Sequence, residues 1–229
     1  MLPAALRDRP AGHTKLVGGR LCLDFANSVR RWPPEGPDGL RDEADERLGA
    51  YADLLAWSGR VGALDEDAIV RLWREAERHP EDARATHARA RRLRDAVYAI
   101  GWSLAHGHAP RAADLAALEA EVQAARAHQR LTVRDRALFW RLSPPERALD
   151  APVAAVALSA DEYFTSGDLS RLHVCPGDEC GWLFEDTTRN RSRQWCDMGD
   201  CGNLAKVRRF RSKASGRKRP AATRSTSRA

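Results

Sequence analysis

The sequence predicts a mainly α fold: a multihelical N-terminal domain with one weakly signalled small β-hairpin, followed by a small C-terminal module organised by four cysteines. Three observations carry this reading. Apolar residues recur at helical spacing through most of the first 170 positions, four of five cysteines form two matched pairs near the C-terminus, and basic charge collects behind the second pair. The boundaries follow: residues 1–168 as the helical domain, 169–214 as the cysteine module, and 215–229 as a basic tail whose Ser, Arg, Thr and Ala content is that of a disordered segment.

The helical elements can be taken in order. Leu16 to Ser28 opens on Gly18-Gly19 and then alternates as Leu21, Cys22, Leu23, Asp24, Phe25, which suits either a short strand or the start of a helix. Trp32 to Asp38 holds three prolines and a glycine and reads as a loop. Leu48, Tyr51, Ala52 and Leu55 make one apolar stripe, and Ile69, Leu72, Trp73 and Ala76 make the next, with Asp65 as N-cap and Pro80 as stop. Leu93, Val97, Ile100 and Leu104 form a third face closed by Gly107, and Leu115, Leu118, Val122 and Ala125 a fourth, packed antiparallel to it. Val153, Val156, Ala157, Ala160 and Phe164 make a fifth, with Pro152 in its first turn and Gly167 past its end. Between the last two, Leu131, Val133, Leu138 and Trp140 alternate around Arg134-Asp135-Arg136, the pattern of a hairpin whose turn lacks glycine.

Composition narrows the function classes. The 229 residues are 43% hydrophobic, enough for a real core in the larger part. Met1 to Leu16 is broken by Arg7, Asp8, Arg9 and Pro10 and offers no apolar signal core, and charges interrupt every later apolar run. A soluble, cytoplasmic protein with no membrane partner is the expectation. Charge is uneven: residues 171–229 hold 14 Lys+Arg and 6 Asp+Glu, and from Gly202 onward there are 10 basic residues and no acidic one. That asymmetry is the electrostatic footprint of a phosphate-binding segment.

In a reducing cytosol, Cys175-x4-Cys180 and Cys196-x4-Cys201 are better explained by metal than by disulfides. Four thiolates in two close pairs form a tetrahedral cage for one structural zinc ion, in a zinc-ribbon or treble-clef-like module. Pro176, Gly177 and Gly181 supply the turn of the first pair, and Trp182, Leu183 and Phe184 form a strand returning from it. His173 is not needed as a ligand, and Cys22 reads as a small buried hydrophobe.

After Cys201 the chain has helical composition. Leu204, Val207 and Phe210 fall on one face, directed by this reading to the zinc core, while Lys206, Arg209 and Lys213 fall on another, flanked by Arg208 and Arg211. A basic helix rooted at a zinc site suits a phosphate backbone or a groove, so DNA is the expected partner. Arg189, Arg191 and Arg193 alternate between the cysteine pairs; they either extend the phosphate track or bind loop carbonyls. Asp24 and Asn27 are the polar pair in an apolar run, read as a candidate ligand pocket or as a buried cap.

At the cysteines the chain resembles the CGNR zinc finger family, through Cys175-x4-Cys180-Gly181-Trp182-Leu183-Phe184, Asp186-Thr187-x-Arg189-Asn190 and Arg193-x-Trp195-Cys196-x-Met198-x2-Cys201-Gly202-Asn203. It departs from the family's Cys-Gly-Asn-Arg at the fourth position, which is Leu204 here. Upstream it resembles the ABATE domain in Leu21-x-Leu23-Asp24-Phe25-x-Asn27-Ser28, Tyr51-x-Asp53-Leu54-Leu55-x-Trp57 and Thr165-Ser166-Gly167-Asp168-Leu169. The resemblance implies a stress-induced transcription regulator with Cys175, Cys180, Cys196 and Cys201 as zinc ligands and no catalytic residue.

No Gly-rich phosphate loop, Gly-x-Ser-x-Gly or His-Glu-x-x-His is present, so an enzyme is not expected. The reading is a zinc-containing DNA-binding regulator whose helical domain senses a small-molecule effector or mediates association. The alternatives are a small-molecule-binding or protein-interaction domain with a structural zinc module, or an RNA-binding protein.

Overall fold

The computed structural model describes residues 3–33, 35–39, 42–143 and 148–216, with 213–216 described by backbone alone. The expected tail, 215–229, falls almost wholly outside the described residues. Eight α-helices are present among them: α1 (Ala4–Arg7), α2 (Leu21–Ala26), α3 (Tyr51–Arg60), α4 (Glu66–Arg78), α5 (Pro80–Ala105), α6 (Ala112–Ala127), α7 (Ala151–Ser166) and α8 (Asn203–Gly216). Two antiparallel hairpins complete the fold: β1 (Gln129–Arg134) with β2 (Ala137–Leu142), and β3 (Leu172–Val174) with β4 (Leu183–Glu185).

Helix boundaries follow local chemistry. The Asp65 carboxylate accepts the Ala68 amide at 2.7 Å and starts α4, and Pro80 opens α5, where a missing N–H costs nothing. In α3 the Asp53 carboxylate accepts the Ala50 amide at 2.9 Å and is held in turn by Arg9. Leu16 to Ser28 resolves as an extended strap followed by α2, which buries Cys22, Leu23, Phe25 and Ala26.

The 26-residue α5 is the axis of the molecule, about 39 Å long by helical rise. It buries Leu93, Val97, Tyr98 and Ile100. Helices α2, α3, α6 and α7 pack around it. The expected face of α6 needs one correction. Leu118, Val122 and Ala125 are buried, but Leu115, one turn nearer the start, is exposed.

The β1–β2 hairpin forms without glycine: Asp135 and Arg136 take the left-handed conformation at φ 51° and 67°. A two-residue turn of this kind matches the strand twist. The apolar residues do share a face, in register Leu131↔Trp140 and Val133↔Leu138.

The core does not stop at the cysteine module. Leu183 and Phe184 of β4 are fully buried in the same apolar cluster as Phe25, Trp57, Val97 and Ile100. Gly101 makes room for this: a Cβ there would stand 2.6 Å from the Leu183 side chain. Trp182, Leu183 and Phe184 thus belong to the core shared with the helical body and make no separate core for the module.

Candidate metal centre and nucleic-acid interface

The four cysteine sulfurs lie within 4.8 Å of one another, and none is in a disulfide. Cys180 and Cys196 sulfurs are 3.4 Å apart, and Cys196 and Cys201 sulfurs 3.7 Å apart. A zinc ion bonded to four thiolates at about 2.3 Å sets its sulfurs about 3.8 Å apart, so the cluster has the size of a tetrahedral cage. Cys175, Cys180 and Cys196 are buried and Cys201 is half-buried, the closed form of a structural site.

Each ligand is positioned by backbone chemistry. Cys175 continues β3, its amide donating to the Trp182 carbonyl at 2.8 Å, and the Cys180 amide donates to the Gly177 carbonyl at 3.0 Å, closing the first knuckle. In the second, the Asp197 carboxylate accepts the Gly199 amide at 2.6 Å and the Asp200 amide at 3.2 Å, turning the chain so that Cys201 enters the helical turn leading to α8. The Cys196 amide points at the Cys175 sulfur at 3.4 Å, the kind of donor that offsets thiolate charge. The last ligand at a helix start favours the treble-clef-like form over a pure ribbon.

Asp24 and Asn27 both spend their side-chain polar atoms on backbone partners within the fold. Asn27 is fully buried and acts as one rung of a sheet: its side-chain nitrogen donates to the Leu183 carbonyl at 2.7 Å and its oxygen accepts the Leu183 amide at 2.9 Å. Asp24 accepts the Gly18 amide at 2.8 Å, fixing the strap before α2, and burial pushes its carboxyl up to about 6 against those amide bonds. Gly18 is needed there, because a Cβ would sit 2.8 Å from the Asp24 amide. Of the two readings of this pair, these bonds match the buried cap: Asn27 clamps β4 and Asp24 fixes the strap. Cys22 is buried as expected, its thiol pushed up to about 12 by burial.

The loop arginines separate. Arg193 is a staple: its guanidinium donates to carbonyls of Val17 at 2.7 Å, Trp195 at 3.1 Å and Glu185 at 3.1 Å, and to Cys196, while its plane covers Phe184. It is not available to phosphate. Arg191 is exposed but tied to Asp168 at 3.1 Å and the Ser170 hydroxyl at 3.0 Å. Only Arg189 of the three stands exposed without such a tie among the described contacts. The fully buried Asp186, which accepts the Thr188 hydroxyl at 2.6 Å and the Arg193 backbone amide at 2.9 Å, organises this loop.

On α8, Lys206, Arg208, Arg209 and Arg211 are all exposed, while the side chain of Lys213 lies outside the described residues. Arg208 is tied to Asp178 of the first knuckle. The apolar face does not turn toward the zinc core: Leu204 is 56% and Phe210 76% exposed. The helix leaves the metal site as an arm with both faces in solvent.

Residues 19–167 match the family model ABATE, described as "Putative stress-induced transcription regulator". The chain belongs to the ABATE family. Residues 171–214 match the CGNR zinc finger, and the four sulfurs of that segment form the site of one structural zinc. A search of curated proteins finds no match. In this ABATE chain the two matched segments meet through a continuous core. The strap from Lys15 to Arg20 crosses the seam: Gly18 accepts the Glu185 amide at 2.8 Å, Arg20 pairs with Glu185 at 2.7 Å, and Lys15 reaches Asp197 at 3.0 Å. Beside the strap lies a cleft of about 630 Å³ lined by Leu16, Val17, Gln194, Trp195 and Met198. No helix among the described residues is long and apolar enough to cross a membrane.

Proposed function

We propose that this ABATE protein is a zinc-containing DNA-binding transcription regulator, in which α8 contacts the phosphate backbone and the zinc knuckles hold it to the helical body. The observation that carries this reading is the arm itself. A helix with no acidic residue leaves the metal site with Lys206, Arg209 and their neighbours in solvent, and its 14 residues span about 21 Å, enough to lie along a groove. Phosphates contacted by Lys206, Arg208, Arg209 and Arg211 would position the arm; Arg208 would exchange Asp178 for phosphate. Base readout would fall to α8 and to Arg189. Arg191 and Arg193 are left out, because their nitrogens already serve the loop. No reaction is assigned to the chain.

The test is binding of duplex DNA by the zinc-loaded protein across a salt series. About four phosphate contacts give a log-log salt slope near −4. Binding that is absent at low salt, or flat with salt, would overturn the reading.

A second reading adds a small-molecule effector, favoured by the cleft beside the strap. A ligand seated between Val17 and Trp195 would touch both the helical body and the residue preceding Cys196, and so could bias the orientation of the finger. Such a ligand would combine an apolar body for Leu16, Trp195 and Met198 with polar groups for Thr188, Ser192 and Gln194. Quenching of tryptophan fluorescence by a small-molecule panel, lost in Trp195→Ala, would check it.

A further inference from the structure

The β1–β2 hairpin carries an apolar face that no other element among the described residues covers. Leu131, Val133, Leu138 and Trp140 are 54%, 65%, 68% and 63% exposed. They form two adjacent cross-strand rungs on one side of the ribbon. The ribbon joins α6 to α7 and shares no extensive packing with any other element among the described residues. A lone two-stranded hairpin is marginal in water and needs a third layer to be stable. This one is nonetheless built from β-branched and aromatic residues with a tight two-residue turn.

We infer that this face is a two-fold association surface on which a second copy of the same chain docks, hairpin against hairpin. The four residues leave roughly 500 Å² uncovered per copy, so a face-to-face pair buries up to about 1,000 Å², the lower bound for a specific interface and the range of weak, reversible association. Charge selects which side is used. Arg130, Arg134 and Arg141 all lie on the opposite side, where Arg130 stands across from Arg141 and Arg134 lies over Phe139 at 5.0 Å. Two copies meeting on the apolar side bring no like charges together, whereas meeting on the other would oppose six arginines. Stacked antiparallel, the bulky Leu131–Trp140 rung of one copy lies over the smaller Val133–Leu138 rung of the other. The match is reciprocal, each rung of one copy meeting the other rung of its partner, as an isologous contact requires.

The test is sedimentation equilibrium of the full zinc-loaded chain without DNA. The wild type is expected as a dimer at about 10 µM, a concentration at which association of this size is populated. Val133→Glu with Leu138→Glu should raise the dissociation constant by about 100-fold or more, since each charge would be stripped of water in an apolar contact. The milder Trp140→Ala should weaken it in the same direction without risk to the turn, and Arg134→Glu, on the far side, should change it by no more than a few fold. Helical circular dichroism should be unchanged in all three, because the hairpin lies outside the core. A wild type that stays monomeric to roughly 100 µM would overturn the inference and leave the face to another protein. So would a dimer that ignores both apolar-face variants. The inference does not rest on DNA binding: a chain ending at Ala205 should dimerise as the full chain does.

Discussion

The two halves of the zinc module have opposite fates. The first, β3, the knuckle and β4, is drawn into the helical body, with Leu183 and Phe184 fully buried and Asn27 bonded to both polar groups of Leu183. The second, from Cys201 through α8, stands clear, with Leu204, Val207 and Phe210 in solvent beside the basic residues. One zinc ion joins them. The contrast separates stability from function: what the first half buries holds the molecule together, and what the second half exposes is free to meet a partner.

The largest effect expected from breaking that arrangement is on the metal. Cys196→Ser removes one of four ligands, so the protein should purify with far less than one zinc. Because β4 belongs to the common core, the helical body should melt earlier by at least about 10 °C, well beyond the ~2–4 °C that 1 kcal/mol moves a domain of this size. Metal analysis with thermal circular dichroism reads both. An unchanged helical melt would mean that the two matched segments are independent after all.

Asn27→Ala comes next. It leaves the buried amide and carbonyl of Leu183 unpaired, at about 1–3 kcal/mol each before relaxation. Chemical denaturation should show a loss of about 2–4 kcal/mol, and zinc affinity should fall with it because β4 carries the knuckle. A loss below about 0.5 kcal/mol would show that the clamp is incidental.

Asp24 has a smaller effect with a definite sign. Its carboxyl is raised to about 6 in the fold from the ordinary 3.8, so the protonated form is favoured by folding. The contribution is fully present below pH 3.8, declines as pH rises through 6, and above that becomes the cost of a buried charge. Asp24→Asn keeps an acceptor for the Gly18 amide and should stabilise the protein by about 1–3 kcal/mol at pH 7, with the gain shrinking toward pH 4. Denaturation curves at pH 4, 5.5 and 7 would settle it; a destabilised variant at pH 7 would show that the amide bonds need the charge.

How legible each part was in the sequence follows from how local its physics is. The zinc ligands could be read because thiols at matched spacing have few other uses, and the helices because Asp65, Pro80 and Gly107 mark their ends beside strong periodicity. The periodicity of Leu204, Val207 and Phe210 showed that an apolar face exists, but what covers a face is decided by elements distant in the chain. The same holds for the four hairpin residues and for Leu115. Asn27 was visible as a polar residue in an apolar run, yet its partner lies 156 positions away. For Arg193 the sequence left phosphate and loop carbonyls both open, because its partners, Val17 above all, come from a strap that only the fold brings near.

The separation of the two halves is tested most directly by removing the arm. A chain ending at Ala205 keeps all four cysteines, β4 and the Asn27 clamp. One bound zinc per chain and a melting temperature within about 2 °C of the full protein are expected, together with loss of salt-dependent binding to duplex DNA. Retained DNA binding would contradict the assignment of α8 as the contact. Loss of zinc or of the helical fold would show that the arm is structural.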